Sequence, residues 1–388
     1  MTKRYSSLFI WLAAILTLLV FIMSQFFVVH ASVESQAETV IEVTSGRVLY
    51  AKNEQKSVPM ASTTKILTAI IIIEDCDLNN IVTIPEKAVG VEGSSIYLVA
   101  NEKISIKDLL YGLMLQSGND CAVALALYHS GTVEAFAEEM NLRARSIGAL
   151  NSNFMNPHGL PDNKHFTTAF DLAIIAAYAL HNSVFSEIVS TNTHTIEDGG
   201  CGYVRVLHNK NKMLSQYDGA NGVKTGYTQA AGRCLVTSAT RNGMQLVSVV
   251  LNSPDMYERS KEILDQCFAE YSFCRIFDPV SYQIVLPTEI RTKNCRCSCD
   301  EAFLYPIKAD EATNLYIKEC VPEFVSLPIH EGDAVGELQI YLKNQLLFSQ
   351  KIVSIETVEK NFWDILREIT QRNGFKICGS INIWRNVG

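Results

Sequence analysis

Basic residues are the minority charge in this chain: 33 Lys and Arg stand against 41 Asp and Glu, for a formal net charge of −8. That balance argues against a nucleic-acid backbone as the main partner, while leaving a local basic site open. Internal repeats and low-complexity segments are absent, and 388 residues leave room for two domains of ~150 residues each. The 11 cysteines are odd in number, and Cys76, Cys121, Cys201, Cys234, Cys267 and Cys274 are scattered. That is not the layout of a small disulfide-stapled scaffold. Several sit in apolar runs, where a free thiol behaves as a small hydrophobe. The cluster "CRCSC" places Cys295, Cys297 and Cys299 on one face of an extended strand. With no His or CxxC nearby to complete a ligand set, these read as core thiols, and no metal or cofactor is expected.

Long hydrophobic runs are confined to the start. Lys3 and Arg4 precede "LFIWLAAILTLLVFIMSQFFVVHA", which closes on Val29-His30-Ala31. A positive start, an apolar middle and a small-residue end predict a secretory signal over residues 1–31, cleaved after Ala31. The run is also nearly long enough to span a bilayer as an uncleaved anchor. After it, "TVIEVTSGRVLYAKN" alternates around Ser45-Gly46 and predicts a β-hairpin. Residues from Ser62 to Ile73 are apolar nearly all round and predict a buried helix, although the run is unusually β-branched. Ser105 and Asp108 mark a helix start by capping-box spacing. Helical periodicity continues through "CAVALALYHSG", "TVEAFAEEMNLRARSIG" and "TTAFDLAIIAAYAL". Two strands joined through Asn242-Gly243 follow, then a helix over "DMYERSKEILDQCFAEYSF". Strands at both ends of a helical region predict an α/β (α+β) domain whose terminal strands share one antiparallel sheet flanked by helices.

From Phe277 to Ile355 the pattern shifts to short alternating segments, "SYQIVLP", "NLYIKECVP", "FVSLPI" and "AVGELQIYLKNQLLFSQKIVSI", with a turn at Asn344. This predicts a small all-β domain. The tail "NFWDILREITQ" carries Phe362, Ile365, Leu366 and Ile369 at helical spacing, opposite Asp364, Arg367 and Glu368. Such a face either packs on the β domain or lies in a membrane surface. The expected boundaries are 32–275, 276–358 and 359–388.

The chemistry begins at "MASTTKILTA". A serine hydroxyl is a weak nucleophile and needs a base within reach. On a helix, positions i and i+3 share a face, so Lys65 can present its amine to Ser62. The amine serves as a base only if burial or neighbouring cations lower its pKa. Two further segments bear on that pair. "QSGND" places Ser117 and Asn119 in a break between helices, and "NGVKTGYT" places Lys224, Thr225 and Gly226 on a strand. A glycine there lets another backbone approach, and a strand edge can bind an extended peptide by strand addition.

Together and in this order, the segments match the Ser-x-x-Lys, Ser-x-Asn and Lys-Thr-Gly set of penicillin-binding proteins and class A β-lactamases. With "EGSSIYL", "LLYGLMLQSGNDCAVALA", "NPHGLPDNKHFTTAFDLA" and "RSKEILD", the chain resembles the D-alanyl-D-alanine carboxypeptidases of the low-molecular-mass penicillin-binding protein group. The resemblance runs from Val40 to Ser272 and more weakly through the β domain. It implies a β-lactamase-like fold in which Ser62 attacks the carbonyl between the two terminal D-alanines of a peptidoglycan pentapeptide stem, with Lys65 taking its proton. The backbone N–H groups of Ser62 and Tyr227 would hold the oxyanion. Ser117 would relay a proton to the departing D-alanine, helped by Lys224. Asn119 would bond the substrate's amide backbone, and Thr225 with Arg259 would hold its terminal carboxylate. β-Lactam antibiotics would act as covalent inhibitors, and the enzyme would work outside the cytoplasm, attached to the outer face of the membrane if the tail or the signal anchors it. His158 and His165 read as loop-structuring residues. The alternatives are a β-lactamase or esterase with the same pair, and an inactive wall-binding protein. Neither Glu138 nor Glu139 has the Asn four residues on that a deacylation motif would need, and no motif member is lost.

Overall fold

A computed structural model describes residues 35–372; the signal expected over 1–31 and the end of the tail lie outside the described residues. The first hairpin forms as its alternation predicts, from β1 (Ala37–Glu42) and β2 (Val48–Lys52), with Gly46 in the turn at φ +67°. A 3-10 turn over Ala61–Thr64 leads into helix α1 (Lys65–Asp75), which is buried on every side from Lys65 to Ile73. Its β-branched interior opposes helix formation by a few tenths of a kcal/mol per residue. Burying one isoleucine returns ~1.5–3 kcal/mol, so tertiary packing decides.

A short hairpin, β3 (Ile81–Thr83) with β4 (Lys103–Ser105), then leads to α2 (Ile106–Leu115). The Ser105 side chain accepts from the Asp108 N–H and caps α2 as its spacing predicts. Helices α3 (Asn119–Ser130), α4 (Val133–Ile147), α5 (Ala169–Leu180) and α6 (Ser183–Ser190) follow. The last of these and a second small hairpin, β5 (Thr193–Ile196) with β6 (Arg205–His208), have too little periodicity to be read from sequence. Strands β7 (Ala220–Thr228), β8 (Gly232–Arg241) and β9 (Met244–Leu251) precede α7 (Met256–Glu270).

The sheet order is β2-β1-β9-β8-β7, all antiparallel, so the N-terminal hairpin pairs with strands from the far end of the domain and β7 is left as an edge. Alternate residues serve two cores. Ile41, Val236 and Val249 face α1 and its neighbours, while Val40, Leu235 and Val250 face Ile263 and Leu264 of α7.

The helical reading extended to Phe273, but α7 stops at Glu270. Ser272–Phe277 is strand β10 because it finds a partner downstream. The second body continues with β11 (Ile284–Pro287), β12 (Asn294–Ser298), β13 (Phe303–Ile307, the partner of β10), β14 (Leu315–Cys320), β15 (Ala334–Leu342) and β16 (Gln345–Ser354). Five of these form a sheet in the order β11-β12-β16-β15-β14. "FVSLPI" is not a strand. Val325 and Ile329 make only isolated bridges, and Pro328 lacks the N–H a ladder needs. Cys295, Cys297 and Cys299 are all buried in this body's core, and the ten cysteines among the described residues are unpaired. Helix α8 (Phe362–Arg372) closes the chain.

Candidate active site

Lys65, at the first turn of α1, is fully buried, and its Nζ has three oxygen neighbours. Ser62 Oγ lies at 2.9 Å, Asn119 Oδ1 at 2.7 Å and the carbonyl oxygen of His158 at 2.7 Å. Burial holds the amine well below its ordinary pKa, and the nearby Lys224 charge pushes the same way. A neutral amine has two N–H bonds and one lone pair. The Asn119 and His158 oxygens can only accept, so they take both N–H bonds and turn the lone pair to the Ser62 hydroxyl. The Asn119 amide is oriented in its turn, its Nδ2 donating to the Glu92 carbonyl at 2.5 Å.

The turn carrying Ser62 is set by close backbone approaches. Ala61 has φ +49°, a left-handed conformation that non-glycine residues rarely adopt. A Cβ on Gly159 would fall 1.9 Å from the Ala61 carbonyl oxygen, so only glycine lets the "NPHGL" loop bring the His158 carbonyl to Lys65. On the other side, a Cβ on Gly226 would lie 3.0 Å from the Ser62 nitrogen. That glycine seats the β7 edge beside the nucleophile.

The break between α2 and α3 supplies the opposite wall. Ser117 is buried at φ +64°, and Gly118 packs where a Cβ would sit 2.7 Å from Asp120 Oδ1. Buried Asp120 holds the preceding loop. It accepts from the backbone N–H groups of Ile96 and Leu98, each at 3.1 Å, and from the Ser95 hydroxyl at 2.6 Å. The Asn119 N–H donates to the Ser94 carbonyl at 2.7 Å. From β7, Lys224 is buried, and desolvation, reinforced by Lys210, lowers its pKa to about 7.

These walls enclose a cleft of about 690 Å³ lined by Ser62, Ser94, Ser117, Thr225, Gly226, Tyr227, Lys210, Lys212, Arg233, Met256 and Tyr257. Ser62, Lys65, Ser117, Asn119, Lys224, Thr225, Gly226 and Tyr227 therefore converge on one place.

A family model described as D-alanyl-D-alanine carboxypeptidase, peptidase S11, matches residues 24–255. The chain belongs to this family. A second model, the C-terminal domain of penicillin-binding protein 5, matches residues 292–360. The chain is 32% identical over 346 residues to the D-alanyl-D-alanine carboxypeptidase DacF of Bacillus subtilis, covering 84% of this chain and 86% of that protein. It is 32% identical to DacA of Haemophilus influenzae, covering 88% of this chain and 91% of that one. The crystal structure of penicillin-binding protein 5 from Haemophilus influenzae superposes with a TM-score of 0.72 at 26% identity, covering 86% of this chain and all (100%) of that one.

Arg259 is not brought to the cleft. On α7 it grips buried Glu38 with two bonds of 2.8 Å each, and it also reaches Tyr50 and Glu262. Glu38 in turn binds Ser35 and Tyr50, so the guanidinium makes four hydrogen bonds within a structural cluster at β1 and β2, separated from the β7 edge by β9 and β8. The histidines also have structural roles. His165 Nδ1 accepts from the Met155 N–H at 3.0 Å, which leaves the proton on Nε2 facing Thr64 Oγ1 at 2.8 Å. Burial holds His165 down at about 4 and His158 at about 3, so both rings are neutral. Sequence reading missed Lys210, Lys212 and Arg233. "NKNK" is visible in the chain, but nothing local says that it faces the Lys-Thr-Gly strand.

Proposed function

We propose that this cleft removes the terminal D-alanine from peptidoglycan stem peptides by way of an acyl-enzyme on Ser62. The chain is a serine-type D-Ala-D-Ala carboxypeptidase of cell-wall biogenesis. The observation that carries the assignment of its residues is the buried Lys65 amine, held by two acceptors so that its lone pair meets Ser62.

Ser62 Oγ attacks the carbonyl carbon of the penultimate D-alanine while its proton passes to Lys65. The oxyanion sits between the Ser62 and Tyr227 N–H groups, a contact worth ~3 kcal/mol per donor. As the peptide bond breaks, the departing amine takes a proton through Ser117, with Lys224 beside it. Water then cleaves the ester, returning free Ser62 and the shortened stem. The substrate backbone lies along the β7 edge, its amide bonded by Asn119 and its terminal carboxylate at Thr225. Among the described residues no carboxylate lines the cleft to activate water quickly, which favours a peptidase that holds β-lactams as slow esters over a β-lactamase. Export through the signal over 1–31 and attachment through the tail complete the reading, with the domain boundaries at 275 and 358.

The test is incubation with diacetyl-L-Lys-D-Ala-D-Ala and assay of free D-alanine, alongside labelling by a fluorescent penicillin. Both signals are expected from the wild type and neither from Ser62→Ala. Undiminished release in that variant would overturn the nucleophile.

A further inference from the structure

With Arg259 committed to Glu38, the cleft needs another cation where a peptide's C-terminus would lie. We propose that Arg233 is that residue, binding the terminal carboxylate of the substrate and setting the preference for a free C-terminus. This rests on the reading of the cleft as a D-Ala-D-Ala carboxypeptidase site.

The strand register carries the argument. Arg233 on β8 lies directly opposite Tyr227 on β7, and Leu235 lies opposite Thr225. Residues opposite one another, and those two apart on a strand, share a face. Arg233 therefore rises on the same face as Thr225 and Tyr227, and it lines the same cleft. Lys224 and Gly226 point the other way, toward Ser62 and Lys65. The nucleophile and the carboxylate site are thus divided between two faces of one edge strand.

The chemistry agrees. Among the described residues three cations and no acid line this cleft, in a chain whose net charge is −8. Among the described residues no carboxylate pairs with Arg233. Its Nη1 lies 3.3 Å from the Pro254 carbonyl, which steadies the side chain and leaves most of its donors unspent. A guanidinium offers two parallel N–H bonds that match a carboxylate, and a lysine does not. Lys210 is also partly committed: its Nζ donates to the Gln116 carbonyl at 2.8 Å, and burial lowers its pKa. Arg259 cannot be recruited without stripping a buried carboxylate of its partner.

The experiment compares kcat/KM for diacetyl-L-Lys-D-Ala-D-Ala with that for its C-terminal amide, in the wild-type chain and in R233Q, R233K and R259Q. The wild type is expected to prefer the free acid. R233Q should lower the free-acid value about 100-fold and the amide value less than about threefold, so that the preference collapses. R233K should recover part of it, and R259Q should keep it while melting at a lower temperature. An acid-to-amide ratio unchanged in R233Q, or both values falling together as loss of the Pro254 contact would cause, overturns the proposal. If the wild type neither releases D-alanine nor takes the penicillin label, the reading beneath the proposal falls, and the proposal with it. Labelling without the shift in preference would sink Arg233 alone.

Discussion

Two lysines in this cleft are driven toward neutrality by the same cause, the removal of an ammonium from water, and they are asked to do different things. Lys65 must be neutral to receive the Ser62 proton. Lys224, lowered to about 7, is useful while it still carries charge beside the leaving group. The free enzyme's kcat/KM should accordingly depend on neutral Lys65 and fall with an apparent pKa near 7 as Lys224 loses its charge. Lys224→Arg keeps the charge at all pH values and should remove the falling limb, even if the maximum drops. A pH–rate profile of D-alanine release over pH 5–10 checks this. The linked stability effect has a definite sign. Between about 7 and the ordinary 10.5 the unfolded chain binds the proton that folded Lys224 has lost. The destabilisation is therefore full below that window and fades as pH rises through it. Lys224→Met should flatten the rise in urea midpoint across the window.

At the scale of elements, the site is an encounter of three chain segments that touch through glycines and one buried acid. Gly226 is the contact between β7 and the serine turn. Gly226→Ala should push the strand away by a few tenths of an ångström and lower kcat/KM about 100-fold, since small misplacements of reacting groups are costly. The melting temperature should move by only a few degrees, and paired kinetic and thermal measurements separate the two effects. Asp120 is the contact between α3 and the loop over residues 95–98. Asp120→Ala leaves the buried N–H groups of Ile96 and Leu98 without their acceptor, at ~1–3 kcal/mol each. Urea unfolding should show a loss of about 2–6 kcal/mol. KM should rise as well, because the same loop carries Ser94 into the cleft.

At the scale of the whole molecule, the second body is joined to the first through Arg47. Its guanidinium reaches the Pro306 carbonyl and Glu311 and packs over the rings of Tyr271 and Tyr305. The second body ends in α8, whose orientation bears on one of the two sequence readings of the tail, that its apolar face packs on the β domain. Asp364 turns inward to Lys293 at 2.7 Å, while Phe362 and Trp363 are 70% and 66% exposed and Ile365, Leu366 and Ile369 also face outward. The apolar face is thus not spent on the β domain. Replacing Phe362, Trp363, Ile365 and Leu366 by serine should release the signal-free chain from phosphatidylglycerol vesicles in flotation, with D-alanine release unchanged. Flotation equal to wild type would remove the tail as an anchor.

Local chemistry was legible from the chain alone. The Ser105 cap, the turns at Gly46 and Asn242-Gly243, the all-round apolar α1 and the order of the three motifs depend on neighbours a few positions apart, and such signals survive in one dimension. The short hairpins, α6 and the strand after Glu270 were not legible, because they exist through partners far along the chain. The same division runs through the site. Spacing alone puts Ser62 and Lys65 on one helical face. Which carbonyls turn the Lys65 lone pair, and which arginine has donors to spare, followed only from the folded sheet. Arg259 and Arg233 look alike as letters and lie on the same face of the sheet, but one is held by a buried carboxylate on β1 and the other stands over the β7 edge.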